Sequence, residues 1–165
     1  MKSKAKRICL TVFIALIIIA AALAAVNFLK TPEISPEDIK DFKVEYRVYG
    51  GMEGEDIDIM LEPSPDGQAL LTVHETLFNG AEETNETLVV PYEALGRIKA
   101  VYAERKVPLW GELGDSEFVA LDAPTICVTF VADGKETVLS SDEEFPESGT
   151  GILYEIRSIL YEYRE

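Results

Sequence analysis

The spacing of apolar residues changes repeatedly along this chain, and each change predicts an element. From Ile8 to Leu29 the run ICLTVFIALIIIAAALAAVNFL is uncharged, with only Thr11 and Asn27 clearly polar. At about 1.5 Å rise per residue a helix over it reaches roughly 33 Å, enough to cross a hydrocarbon core of about 30 Å. Period two follows. Val44, Tyr46 and Val48 alternate against Glu45 and Arg47, and Ile57, Ile59 and Leu61 against Asp56, Asp58 and Glu62. That is the pattern of strands with one wet face. Ala69 to Phe78 predicts a third strand after the turn cluster Pro63-Ser64-Pro65-Asp66-Gly67, and Thr84 to Val90 a fourth.

At Pro91 the period lengthens. Leu95, Ile98 and Tyr102 share a helical face, with Glu93 and Arg97 spaced as an i, i+4 pair on another, which predicts a helix from about Pro91 to Lys106 ended by Pro108. Thr125 to Ala132 and Glu136 to Ser140 then flank Asp133-Gly134-Lys135, a hairpin signature. Leu153, Ile156, Leu160 and Tyr163 give a closing helix for which Ser148 or Thr150 is the expected cap. Four strands, a helix, two strands and a helix, joined by short links, predict an α+β fold: one mainly antiparallel sheet of about six strands with two helices on one face. The single N-terminal transmembrane helix precedes it.

Charge orients the chain. Lys2, Lys4, Lys6 and Arg7 precede the apolar run with no acid among them, which leaves 11 bases against all 30 acids, a formal charge of −19, in residues 30–165. The positive-inside rule keeps the basic end in the cytoplasm. The expected organisation is a cytoplasmic basic segment (1–7), a signal anchor (8–29), an acidic proline-containing tether (30–41) opening a brief helix at Ser35-Pro36-Glu37-Asp38, and an extracytoplasmic domain (42–165). Ala22-Leu23-Ala24 keeps signal cleavage open as the competing reading, although the apolar stretch before it exceeds the usual signal core. So acidic a domain, without a basic stripe, repels phosphate backbones, so nucleic acid is not an expected partner.

Candidate chemistry is sparse. His74 is the only histidine and falls on the strand face of Thr72 and Thr76; Cys9 and Cys127 are placed on opposite sides of the expected membrane boundary and cannot pair. No Gly-x-Ser-x-Gly or Ser-x-x-Lys motif is present, and Gly50-Gly51 joins strands instead of opening a helix, so no phosphate loop is expected. No catalytic residue is assigned. Trp110, flanked by Glu112, Asp115, Glu117 and Asp122, is the candidate binding constellation: an aromatic platform with carboxylates, suited to a sugar or a peptide. No cofactor or metal site is expected; calcium is the ion to which loops such as Glu53 to Asp56, Glu112 to Glu117 and Asp142 to Glu144 with Glu147 are open, without EF-hand spacing.

Tyr49-Gly50-Gly51-Met52, the helix end Val107-Pro108-Leu109-Trp110 and the strand end Phe130-Val131-Ala132-Asp133-Gly134 together resemble a group of uncharacterised membrane-anchored surface proteins of Gram-positive bacteria. In that group the tryptophan is often followed by Asn-Gly-Phe, where this chain has Gly111-Glu112-Leu113. The resemblance implies a bacterial cell-surface setting and no activity. The expected function is a non-enzymatic module that presents a sheet face or acidic loops to a protein, peptide or cell-wall ligand. The alternative is a cell-wall or glycan-active hydrolase using the acids near Trp110.

Overall fold

Alternation decides which side of each strand meets the core. In the computed structural model, which describes residues 33–50, 56–76, 83–111, 113–115 and 123–164, β1 (Lys43–Tyr49) buries Val44 and Tyr46. Ile57, Ile59 and Leu61 of β2 (Asp56–Pro63) and Ala69, Leu71 and Val73 of β3 (Ala69–Thr76) point the same way. β4 (Glu83–Val90), β5 (Thr125–Ala132) and β6 (Lys135–Ser140) complete the sheet. Among the described residues it has six strands in the order β4-β3-β2-β1-β5-β6, every neighbour antiparallel. The register stacks Leu88, Leu71, Leu61, Val44 and Phe130 in one row, so a single apolar stripe crosses five strands.

The chain leaves β4 at one edge and returns as β5 beside β1. Between them α1 (Tyr92–Glu104) crosses the apolar face, burying Leu95, Ile98, Val101 and Tyr102. The closing helix α2 (Ile152–Glu162) buries Ile152, Leu153, Ile156, Ile159 and Leu160 in the same core cluster, so both helices cover one face. Phe42, Tyr102 and Phe130 meet at its centre with ring centroids 4.9 to 6.1 Å apart. The opposite face, with Lys43, Glu45, Arg47, Asp58, Met60 and His74, carries no helix among the described residues.

Local chemistry accounts for most boundaries. Asp133 and Gly134 both have positive φ, 53° and 72°, the two-residue turn whose twist matches its flanking strands. Gly67 at φ 82° closes the β2–β3 turn, where the Asp66 carboxylate accepts from the Gln68 N–H at 3.2 Å. Two expectations are corrected. The cap of α2 is neither Ser148 nor Thr150 but Gly151, in the left-handed region at φ 78° with no side-chain bond. Arg97 pairs not with Glu93 along its own helix but with Glu162 of α2, through two hydrogen bonds of 2.5 and 3.2 Å, because a carboxylate on the neighbouring helix matches the guanidinium fork.

The compact unit begins at Ile34, before the expected domain start at Phe42. Ser35 caps a single 3-10 turn at Pro36–Asp38, as its sequence suggests, and Ile39 then enters the core. Lys40 and Asp133 clasp this lead-in to the β5–β6 turn by reciprocal bonds of 2.8 Å, Lys40 N–H to the Asp133 carboxylate and Asp133 N–H to the Lys40 carbonyl. No helix among the described residues is long and apolar enough to cross a membrane. The expected anchor at 8–29 and the turn at Gly51 to Gly54 lie outside the described residues.

A candidate binding trough around Trp110

After α1 the chain turns back sharply. Lys106 takes φ 59°, and a 3-10 turn at Val107–Leu109, started by Pro108, delivers Trp110 in extended conformation. Buried Val107 pins this turn to the core. The indole N–H donates to the Arg105 carbonyl at 3.1 Å, so Trp110 is folded against the end of α1. Its other neighbours come from the loop before α2: Phe145 at 6.1 Å between centroids, and Gly149, where an added Cβ would stand 2.5 Å from the indole Cη2. Arg105 grips the same loop, donating to the Ser148 carbonyl at 3.1 Å and to the Glu155 carboxylate at 2.7 Å.

Two adjoining grooves share Trp110, Gly111 and Leu113. One, of about 480 Å³, is walled by Leu109, Phe145, Pro146 and Glu144. The other, of about 350 Å³, runs between Trp110 and the Thr137–Leu139 edge of β6, with Glu143 at its end. The first volume suits a small ligand or a few residues of peptide. Its lining mixes apolar and polar surface, and the ionisable groups lining the two grooves among the described residues are Glu143 and Glu144. The loop is well tied: Glu144 N–H donates to the Gly114 carbonyl at 2.8 Å, Asp115 bridges to Glu143, and the Glu143 carboxylate accepts from Ser140 N–H at 2.8 Å.

Of the residues chosen from sequence, Trp110 lines both grooves, and Asp115 is exposed beside them through its bridge to Glu143. Glu112, Glu117 and Asp122 lie outside the described residues, as does Phe118. Among the described residues, the carboxylates that line a groove with Trp110 are Glu143 and Glu144, more than thirty residues further along. Sequence reasoning placed them in an acidic calcium-type loop and missed Phe145 and Pro146. The available signal was the pair Phe145-Pro146 inside that loop, an apolar couple where a solvated acidic loop needs none.

Other candidates separate in space. His74 and Cys127 are on β3 and β5 with β2 and β1 between them, so three spacings of about 4.8 Å hold them roughly 14 Å apart and no nucleophile–base pair forms. His74 Nδ1 meets Asn85 Oδ1 at 2.5 Å. Cys127, half-buried and a free thiol, has the Tyr49 hydroxyl 3.6 Å from its sulfur; that contact, followed by burial, raises the Tyr49 phenol above its ordinary pKa. Among the described residues no three His, Cys, Asp or Glu side chains group as metal ligands. In the Asp142 loop, Asp142 instead accepts from Thr125 Oγ1 at 3.3 Å.

No protein-family model matches this chain, and no curated protein matches it.

Proposed function

We propose that the protein is a single-pass, extracytoplasmic binding module whose ligand site is the Trp110 trough, facing a peptide or cell-wall partner at a bacterial surface. The observation that carries the reading is the paired groove sharing Trp110, Gly111 and Leu113, in which apolar side chains stand with one carboxylate in each lining. Such a site selects a ligand that joins an apolar group to a positive charge: the apolar part displaces water from Trp110, Phe145 and Leu113, and the cation meets Glu143 or Glu144. A binding role is favoured over hydrolysis because the Glu143 carboxylate already caps the Ser140 amide, where it serves the loop rather than a reacting bond. The uncharged run from Ile8 to Leu29 and the bases before it support the membrane address.

Trp110 is the only tryptophan, so its fluorescence reports the site directly. Full-length protein in detergent micelles, titrated with a short leucine- and lysine-containing peptide and separately with a peptidoglycan fragment, is expected to give a saturable emission shift with the peptide. Added salt and Leu113→Asp should each weaken it. No shift with either probe, or turnover of the glycan fragment, overturns the reading.

A further inference from the structure

The two edges of the sheet differ in their protection. β6 is short, opens with Lys135 and Glu136, and faces the Trp110 segment across a groove; just past its end Asp115 pairs with Glu143. β4 is longer, is not covered by such a segment among the described residues, and carries charge only at Glu83 and Glu86. It matches β3 residue for residue from Thr76↔Glu83 to Ala69↔Val90, without a bulge, and contains neither proline nor lysine. Natural edge strands usually carry such guards against pairing with another chain.

Exposure on β4 is two-sided. Glu83, Asn85 and Thr87 on the open face and Thr84 and Glu86 on the helix-bearing face are all exposed, and Val89 is 61% exposed. Asn85 holds the neighbouring side chains back over β3: its Oδ1 meets His74 Nδ1 at 2.5 Å and its Nδ2 donates to Glu83 at 3.1 Å. Among the described residues no strand pairs with the outer main-chain edge of β4. Charge then selects the occupant. Glu83 and Glu86 are the ionisable residues of β4, and the only carboxylate of β3, Glu75, is already paired with Arg164. A second copy would bring the same acidic strand against itself, within a protein that is strongly negative throughout its outer part.

We infer that β4 is a docking edge for an extended, lysine- or arginine-bearing segment of a partner protein, which joins the sheet as a further strand. Main-chain bonds to this edge supply the attachment, and cations beside Glu83 on the open face or beside Glu86 on the helix-bearing face select the sequence. β4 and β6 are at opposite edges, five strand spacings or roughly 24 Å apart, so this site and the Trp110 trough stand or fall separately.

The test uses the full-length chain in detergent micelles and three eight-residue peptides: one alternating valine with lysine, one alternating valine with glutamate, and the lysine peptide N-methylated at alternate amides. Amide hydrogen exchange is read along the chain. The lysine peptide is expected to slow exchange across Glu83 to Val90 by about tenfold at saturation, with the other two ineffective. The double variant Glu83→Gln, Glu86→Gln, both at exposed sites, should weaken it about fivefold and flatten its salt dependence. Equal protection of Glu83 to Val90 by the glutamate peptide, no protection of Glu83 to Val90 whatever happens at the Trp110 segment, or sedimentation as a dimer paired through β4 overturns the inference.

Discussion

Trp110 takes part of its surroundings from its own turn and part from a loop more than thirty residues away. Its isolation beside acids suggested an exposed stacking platform, yet its N–H is bound to the Arg105 carbonyl and one edge rests on Gly149. One indole face is therefore structural, and the grooves lie beside it. Gly149 is required by space, not by backbone conformation: a methyl group there meets the indole at 2.5 Å and the Phe145 Cβ at 3.1 Å. Gly149→Ala is expected to cost about 1–3 kcal/mol and to shift Trp110 emission, as chemical denaturation followed by fluorescence would show. Tyr46 makes the opposite case. It is 0% exposed and its hydroxyl finds no partner among the described residues. Burial, partly offset by Arg157, pushes its pKa up to about 12. The folded value exceeds the unfolded one near 10, so the associated stability is complete below pH 10 and is lost as pH rises towards 12. Tyr46→Phe should remove that alkaline loss and leave stability at neutral pH unchanged or about 1 kcal/mol higher, because no hydrogen bond is given up. Unfolding curves at pH 7 and pH 11 separate the two effects.

At the scale of elements, the α+β pattern was readable because periodicity reports which face is buried, and a one-face core obeys it strictly. Val44, Tyr46, Ile57, Ile59 and Leu61 are all buried as their alternation requires. Strand order was not readable, since nothing local in Thr125 to Ala132 says that this segment pairs with β1 rather than β4. The trough was half-readable for the same reason: Trp110 belongs to one turn, while Phe145, Pro146 and Glu144 arrive from a loop beyond the last hairpin. The helix pairing was misread because Glu93 is near Arg97 in sequence, whereas Glu162 is near it only after folding. Ile156 of α2 is fully buried between helix and sheet, so Ile156→Ala should cost about 2–5 kcal/mol in a urea titration. Glu162 makes a different prediction. Its hydrogen bonds to Arg97 hold the carboxyl below its ordinary value of 4.5, so the pair's contribution is present above that pH and lost as pH falls through the lower folded pKa. Glu162→Gln should therefore be less stable than the parent at pH 7, with the difference closing below pH 4. A gap that stayed constant across that range would show the carboxylate charge to be irrelevant.

The whole molecule is governed by its charge and by its proposed address. Residues 30–165 carry −19, and the ion pairs seen, such as Arg97 with Glu162 and Arg105 with Glu155, engage only a few of the acids. Self-repulsion of this size opposes compaction and is screened by salt. Sodium chloride raised from 10 to 300 mM should therefore lift the melting temperature by a few degrees. Calcium at matched ionic strength separates screening from a specific ion, because only a bound ion adds to the screening increment. The proposed topology ties the same charge to a membrane. An acidic body is disfavoured on the cytoplasmic side only relative to the four bases that precede the apolar run, so orientation rests on Lys2, Lys4, Lys6 and Arg7 more than on the acids. The proposed arrangement makes two linked statements about bacterial cells expressing the chain with a C-terminal epitope. Protease added to intact cells should remove the epitope while a cytoplasmic marker survives. Replacing the four N-terminal bases by glutamine should leave part of the population protected, because the basic flank that orients the proposed anchor is then gone. An epitope that survives on intact parent cells and disappears only on lysis places the domain inside, and with it the Trp110 trough and the β4 edge would have to find their partners in the cytoplasm.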